Sequence, residues 1–352
     1  MAAPPVALVA SPGVSVLLPV WNARGTVARA VASIRAQTFT DWELVVVDDG
    51  STDGTTDLLR DFAAADRRIC LITRPHAGIV AALNAGLAAA RGGLIARMDA
   101  DDESHPERLA EQAAFLDAAR HRDVGLVGCL VRFGGDPVAN AGYALHVEWL
   151  NTLVTSGQIA LNRFVESPFA HPSVMFRREL VDGLGAYREG DFPEDYELWL
   201  RWMDAGVPMA KVPRLLLTWH DPPARLSRTD GRYAPEKFFR VKAEWIARWL
   251  RRKFAAEATP RTVFVWGAGR PTRKRAAFLA AQGISIAGYV DIDPKKVGRA
   301  IAGTPVMRVD DLPGPSAAFV LGYVSTRGAR ELIRAALQAR GFVEGGDFLM
   351  CA

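Results

Sequence analysis

A chain of 352 residues, 49% of them hydrophobic and 23% charged, has material for about two folded domains, since single cores rarely grow past roughly 250 to 300 residues. That composition excludes a disordered or fibrous protein, and the scattered cysteines Cys70, Cys129 and Cys351 exclude a disulfide framework and fit a reducing compartment. The net charge of +4 is modest but uneven: between Arg225 and Arg275 fifteen Lys or Arg stand against four acids, which suits an anionic partner such as a nucleotide, a lipid-linked acceptor or a membrane surface, or a solvated basic face.

The start has no basic segment and is interrupted by Pro4, Pro5, Pro12 and Gly13, so no signal peptide is expected, and no run reaches the roughly 20 apolar residues of a membrane span. A cytoplasmic protein follows as the expectation, with a peripheral place at the inner face of the membrane as its variant. Val14 to Pro19 reads as a strand, Thr26 to Ala36 as a helix and Trp42 to Asp48 as a buried strand ending in acids. Ile69 to Thr73, a helix from Gly78 to Arg91 and Leu94 to Met98 continue the alternation, which predicts a parallel sheet covered by helices. Ligands of such sheets bind at the carboxyl ends of the strands, where three polar clusters fall: Pro19 to Asn22, Asp48 to Asp53 and Asp99 to Asp102.

Beyond about residue 235 the spacing of Phe238, Val241, Trp245 and Trp249 predicts an amphipathic basic helix, either packed on the core or laid on a membrane. A second α/β unit then opens at Pro260, with Thr262 to Trp266 as its first strand, Gly267-Ala-Gly269 as a tight turn, and Asp291 closing the next strand. Gly267-x-Gly269 is part of a dinucleotide fingerprint in which Thr272 stands where the third glycine belongs. The expected division is therefore 1–235, a linker helix over 236–259, and 260–352.

Asp99, Asp101 and Asp102 supply the hard oxygen ligands that Mg²⁺ or Mn²⁺ accepts, although Asp102 or Ser104 also suits a helix cap. Asp48 and Asp49 exceed what capping a turn requires and could accept hydrogen bonds from a base or ribose. Glu194 and Asp195 precede an apolar helix, where a carboxylate could serve as a general base or simply favour the helix dipole.

Val16-Leu-Leu-Pro-Val-Trp-Asn22, Val46-Val-Asp-Asp-Gly-Ser-Thr-Asp53, Met98-Asp-Ala-Asp-Asp102 and Pro193-Glu-Asp-Tyr-Glu-Leu198, in this order, resemble family 2 glycosyltransferases over about residues 13 to 225. The resemblance implies a GT-A fold, an inverting transfer from a nucleotide-diphosphate sugar, UDP-sugars foremost, to a hydroxyl of a saccharide or lipid-linked acceptor, and Mn²⁺ or Mg²⁺ as cofactor. It implies that Pro19, Val20, Asn22, Asp48 and Asp49 hold the nucleoside, and that Asp101 with Asp99 or Asp102, beside Ala100, binds the metal and the donor. Asp195 then looks like the catalytic base, with Glu194 assisting. His220 would be a further metal ligand and Arg225 a partner of phosphate, while Asn84, Arg91 and His171 look like positions lining the donor site.

The processive Gln-x-x-Arg-Trp motif does not occur, which implies one transfer per encounter. The later unit resembles small Rossmann-like domains attached to sugar-modifying acyltransferases. Nucleic acid is not expected as a partner. A sugar-phosphate nucleotidyltransferase would use similar acids but opens with a glycine-rich loop, an oxidoreductase would leave the four motifs unexplained, and a non-catalytic nucleotide-sugar-binding protein would not need the acids intact.

Overall fold

The computed structural model describes residues 11–222, 225–259 and 261–352; the first ten residues, on which the signal-peptide expectation partly rests, lie outside them. Two compact units emerge, Met1–Val154 with Phe169–Glu189 and Val207–Arg225, and Thr155–Pro168 with Gly190–Gly206 and Leu226–Ala352.

In the first unit the strands are β1 (Val14–Val20), β2 (Trp42–Asp48), β3 (Ile69–Thr73), β4 (Leu94–Arg97), β5 (Glu103–Ser104), β6 (Leu126–Phe133), β7 (Met175–Arg177) and β8 (Met209–Trp219). They form one sheet in the order β3-β2-β1-β4-β7-β6-β8-β5. β1 to β4 pair in parallel, whereas β7 lies antiparallel to β4 and β6, and β5 antiparallel to β8. The sheet is thus mixed rather than wholly parallel. β7, three residues long, follows β6 in the chain and pairs with it antiparallel, between β4 and β6 in the sheet.

β1 and β2 read as near-continuous apolar runs because both faces are covered. Val14, Val16, Leu18, Leu44 and Val46 face the helix Val27–Arg35 in the main core, while Leu17, Val45 and Val47 lie against the opposite helix at Gly86. Gly86 brings that helix so close that an added Cβ would stand 3.3 Å from Val47 and 3.4 Å from Leu17.

The second unit has a six-stranded sheet of β9 (Thr262–Trp266), β10 (Ile286–Val290), β11 (Ala300–Ile301), β12 (Thr304–Met307), β13 (Ala318–Gly322) and β14 (Phe348–Met350), ordered β11-β12-β10-β9-β13-β14. All its pairings are parallel except β11 with β12. The helix expected after residue 235 runs Pro235–Ala255 and buries Val241, Trp245, Ile246 and Leu250 in this unit's core. Its exposed positions include Arg240, Glu244, Arg248, Arg251 and Arg252, so the apolar stripe is packed and the solvent face is charged.

The units do not divide at residue 235: Thr155–Pro168, Gly190–Gly206 and everything from Leu226, the expected linker helix included, belong to the second. The helix Glu194–Asp204 belongs to the second unit, because Tyr196 and Leu200, one turn apart on one face, join the same core as Val241 and Trp245.

Candidate active site

The first unit gathers its polar residues where the carboxyl ends of β2, β1 and β4 lie side by side. The loops after β1 and β2 are locked together: the Asn22 amide N–H donates to Ser51 Oγ at 2.8 Å, and the Thr52 N–H donates to Asn22 Oδ1 at 2.8 Å. Asn22 holds a left-handed backbone (φ 48) that this exchange of bonds sustains.

Asp48 is buried, accepts from the Ser51 N–H at 3.1 Å and from the Thr56 hydroxyl, and so does the work of a turn. Asp49 is different. Also buried, it accepts from the N–H groups of Ala77 and Gly78, the latter at 2.7 Å, and lies 3.3 Å from Arg74 Nε and 2.8 Å from His76 Nδ1. The His76 ring stacks on the half-exposed indole of Trp21, centroids 4.5 Å apart. An aromatic platform therefore stands beside a held carboxylate, an arrangement that can take the face of a base.

Asp99, Asp101 and Asp102 each bring an oxygen within 4.8 Å of the others. Burial, and after it the charge of Asp99, push the Asp101 carboxyl up to about 6, and burial drives Asp102 well above the usual carboxylate range. Asp102 accepts the His220 backbone N–H on Oδ1 at 2.8 Å, while its buried Oδ2 has no hydrogen-bond partner among the described residues. Three hard oxygen donors this close, one of them buried and unsatisfied, fit a divalent cation of the Mg²⁺ or Mn²⁺ kind.

Positive charge frames the cluster. Arg225 lies over the Trp219 ring at 4.1 Å and over Tyr143 at 5.0 Å, bonds the Tyr143 hydroxyl, and its charge favours ionised Asp101 and Asp102. Arg29 donates to the Asp101 carbonyl at 2.7 Å. Arg97, fully buried, pairs with Asp99 at 2.6 Å.

Other expected site residues fall elsewhere. His220 reaches the cluster through its backbone, and its ring is not among the three grouped donors. Asn84 uses both ends of its amide on the backbone of Tyr187, at 2.9 and 3.2 Å. Arg91 does not line this face: it precedes β4 and binds Glu43 and Ser15 at the amino ends of β2 and β1.

Glu194 and Asp195 open a helix of the second unit. Glu194 is buried and accepts the Tyr233 hydroxyl at 2.8 and 2.9 Å; burial and then the Glu194 charge raise the Tyr233 phenol, which keeps it a donor. Asp195 is half-buried and accepts its neighbour Tyr196's N–H at 2.7 Å. In the same unit Gly267 takes φ 109, Asp291 accepts the Ala268 N–H at 2.8 Å, and Thr272 is buried with its hydroxyl on the Tyr323 carbonyl at 3.3 Å. The third-glycine position is thus filled by a packed threonine.

Trp21, Arg74, His76 and Arg97 were not singled out from the sequence. Arg97 had a signal: it is the one charge in the otherwise apolar run Leu94 to Met98.

Residues 15–185 match the profile of Glycosyl transferase family 2, and residues 258–342 that of a CoA binding domain. Over 200 residues the chain is 35% identical to EpsE of Bacillus subtilis (strain 168), a protein named as a glycosyltransferase, covering 55% of this chain and 68% of that one. It is 30% identical over 209 residues to the amylovoran biosynthesis glycosyltransferase AmsE of Erwinia amylovora, covering 58% of this chain and 74% of the relative. Among solved structures, S. aureus TarS 1-349 in complex with UDP-GlcNAc is similar at a TM-score of 0.50 and 19% identity, over 69% of this chain and 73% of that chain. That likeness is one of fold, and the fold is the GT-A arrangement expected from the motifs, followed by the Rossmann-like unit.

Proposed function

The chain belongs to glycosyltransferase family 2, and from that premise we propose that it transfers a sugar, with inversion, from a nucleotide-diphosphate donor to an acceptor hydroxyl. The observation that carries the reading is the trio Asp99, Asp101 and Asp102, with the unsatisfied Oδ2 of Asp102, at the carboxyl end of β4. A divalent cation bound there supplies positive charge against a departing nucleoside diphosphate.

The chain's own residues divide the remaining work. Trp21 and His76 offer a stacking surface to the base, with Asp49 at its edge. Arg225, held flat by Trp219 and Tyr143, pairs with phosphate oxygens, for which its planar fork is suited. Asp195 is assigned the removal of the acceptor's proton, and Glu194, tied to Tyr233, the orientation of that helix start. UDP-sugars are the favoured donors, and the kinship with AmsE favours a saccharide or lipid-linked acceptor in polysaccharide assembly.

The test is a pair of isosteric variants. Asp195→Asn is expected to abolish transfer while donor binding, read by calorimetry, survives. Asp101→Asn is expected to remove metal-dependent donor binding itself. Transfer retained by Asp195→Asn would overturn the assignment of the base.

A further inference from the structure

Arg97 ends β4 inside the protein, with none of its surface exposed, and takes no part in the chemistry assigned above. A buried guanidinium has to place its fork of donors on acceptors, and each of its three nitrogens has one: Nη2 on Asp99 Oδ1 at 2.6 Å, Nη1 on the Met98 carbonyl, and Nε on His171 Nε2 at 3.2 Å. His171 is itself buried, and the same Nε2 also takes the Tyr187 hydroxyl at 2.8 Å, so Arg97 and Tyr187 share one acceptor. The Tyr187 backbone is fastened in both directions by Asn84, from the helix Ile79–Ala89. A second buried cation, Arg108, steadies the same strand end by donating to the Arg97 carbonyl at 2.7 Å and to the Pro172 carbonyl at 2.8 Å.

We propose that Arg97 is the positioning residue of the acidic cluster: its guanidinium fixes Asp99, and with it the turn carrying Asp101 and Asp102, in the arrangement that receives a divalent cation, and His171 with Tyr187 fixes Arg97. The inference rests on reading Asp99, Asp101 and Asp102 as a cation site. It also accounts for charge. Three carboxylates within 4.8 Å repel one another, and the guanidinium against Asp99 offsets part of that repulsion. Lysine could carry that charge but could not hold Asp99, the Met98 carbonyl and His171 at once, because it lacks the planar fork. Asn84 and His171 thus act on the donor site through Arg97 rather than by touching a ligand.

The experiment titrates the full chain with Mn²⁺ alone, following free and bound ion by electron paramagnetic resonance, for the parent and for Arg97→Lys, Tyr187→Phe and Asp102→Asn, with circular dichroism of each. Asp102→Asn is expected to lose the ion. Arg97→Lys should bind about tenfold more weakly, the size usual for groups that orient metal ligands, with an altered bound-ion spectrum, and Tyr187→Phe, which removes one oxygen two contacts away, about threefold more weakly. Affinities and spectra of folded Arg97→Lys and Tyr187→Phe that match the parent, while Asp102→Asn still fails, would overturn the role of Arg97 and leave the cation site standing. A parent that binds no Mn²⁺, or an Asp102→Asn that binds as the parent does, would remove the cation site and this inference with it. Should Arg97→Lys not fold, Tyr187→Phe decides.

Discussion

Asp102 carries a cost that a bound ion relieves. A carboxylate 1% exposed, with one oxygen unsatisfied and two other acids beside it, is held more easily as the neutral acid. Asparagine has the shape of that neutral acid and no charge. Asp102→Asn is therefore expected to melt higher than the parent in chelator, by a few degrees if the relief is about 1 kcal/mol, and to gain nothing from Mn²⁺. The parent should gain. Thermal melts of both proteins with and without metal check this, and a variant less stable than the parent in chelator would count against a strained, ion-ready site.

At the scale of elements, the helix Pro235–Ala255 separates packing from charge. Trp245 is buried in the second unit's core, and truncating a buried tryptophan typically costs about 3 to 5 kcal/mol, so Trp245→Ala should lower the stability of that unit steeply in urea. Arg248 is largely exposed, and Asp204, which it meets at 2.8 Å, keeps Arg252 as a second partner, so Arg248→Ala should cost less than about 1 kcal/mol. Such a contrast is what a packed helix gives.

The same helix shows why its existence was legible in the sequence and its surroundings were not. Period 3.6 marks an apolar face but does not say which core receives it. For that reason Tyr196 and Leu200 could be read as helical without revealing that they join the second unit. The strands β1, β2 and β4 were legible because buried parallel strands are near-continuous apolar runs, and the acids at the ends of β2 and β4 marked the site. β7 has three residues and no pattern to carry. The helix Arg270–Ala281 starts directly after the Gly267-Ala-Gly269 turn because Pro271 sits comfortably in a first turn. Among site residues, Asp99, Asp101 and Asp102 declared themselves by their neighbours in sequence. Arg97, His76 and Trp21 acquire meaning only from partners 74, 27 and 55 positions away, His171, Asp49 and His76.

For the whole molecule, two buried lysines make stability depend on pH in a stated direction. Lys211 in β8 donates to the Leu150 carbonyl at 2.6 Å, and burial pushes its ammonium down to about 7. Lys242 donates to the Val165 and Cys351 carbonyls at 3.0 and 3.1 Å, and burial pushes it down to about 8. In the unfolded chain both titrate near 10.4, so above these native values the unfolded state binds more protons and stability rises with pH, by at most about 1.4 kcal/mol per unit for each lysine. Urea denaturation should find the parent more stable at about pH 8 than at about pH 7, short of the midpoint near 8.5 at which unfolded thiols ionise, and Lys211→Met should flatten that rise. An unchanged slope in Lys211→Met would mean that the ammonium stays charged inside the fold.

Everything assigned to the first unit turns on one reaction, and the product it releases is the most direct evidence of it. The full chain would be incubated with a panel of UDP-, GDP- and dTDP-sugars, with Mn²⁺ or Mg²⁺ and with chelator, and the nucleoside diphosphate released would be measured. The account predicts slow release from at least one donor, dependent on metal, stopped by chelator, and missing in Asp101→Asn. Pyrophosphate in place of nucleoside diphosphate, or release that chelator leaves untouched, would contradict it.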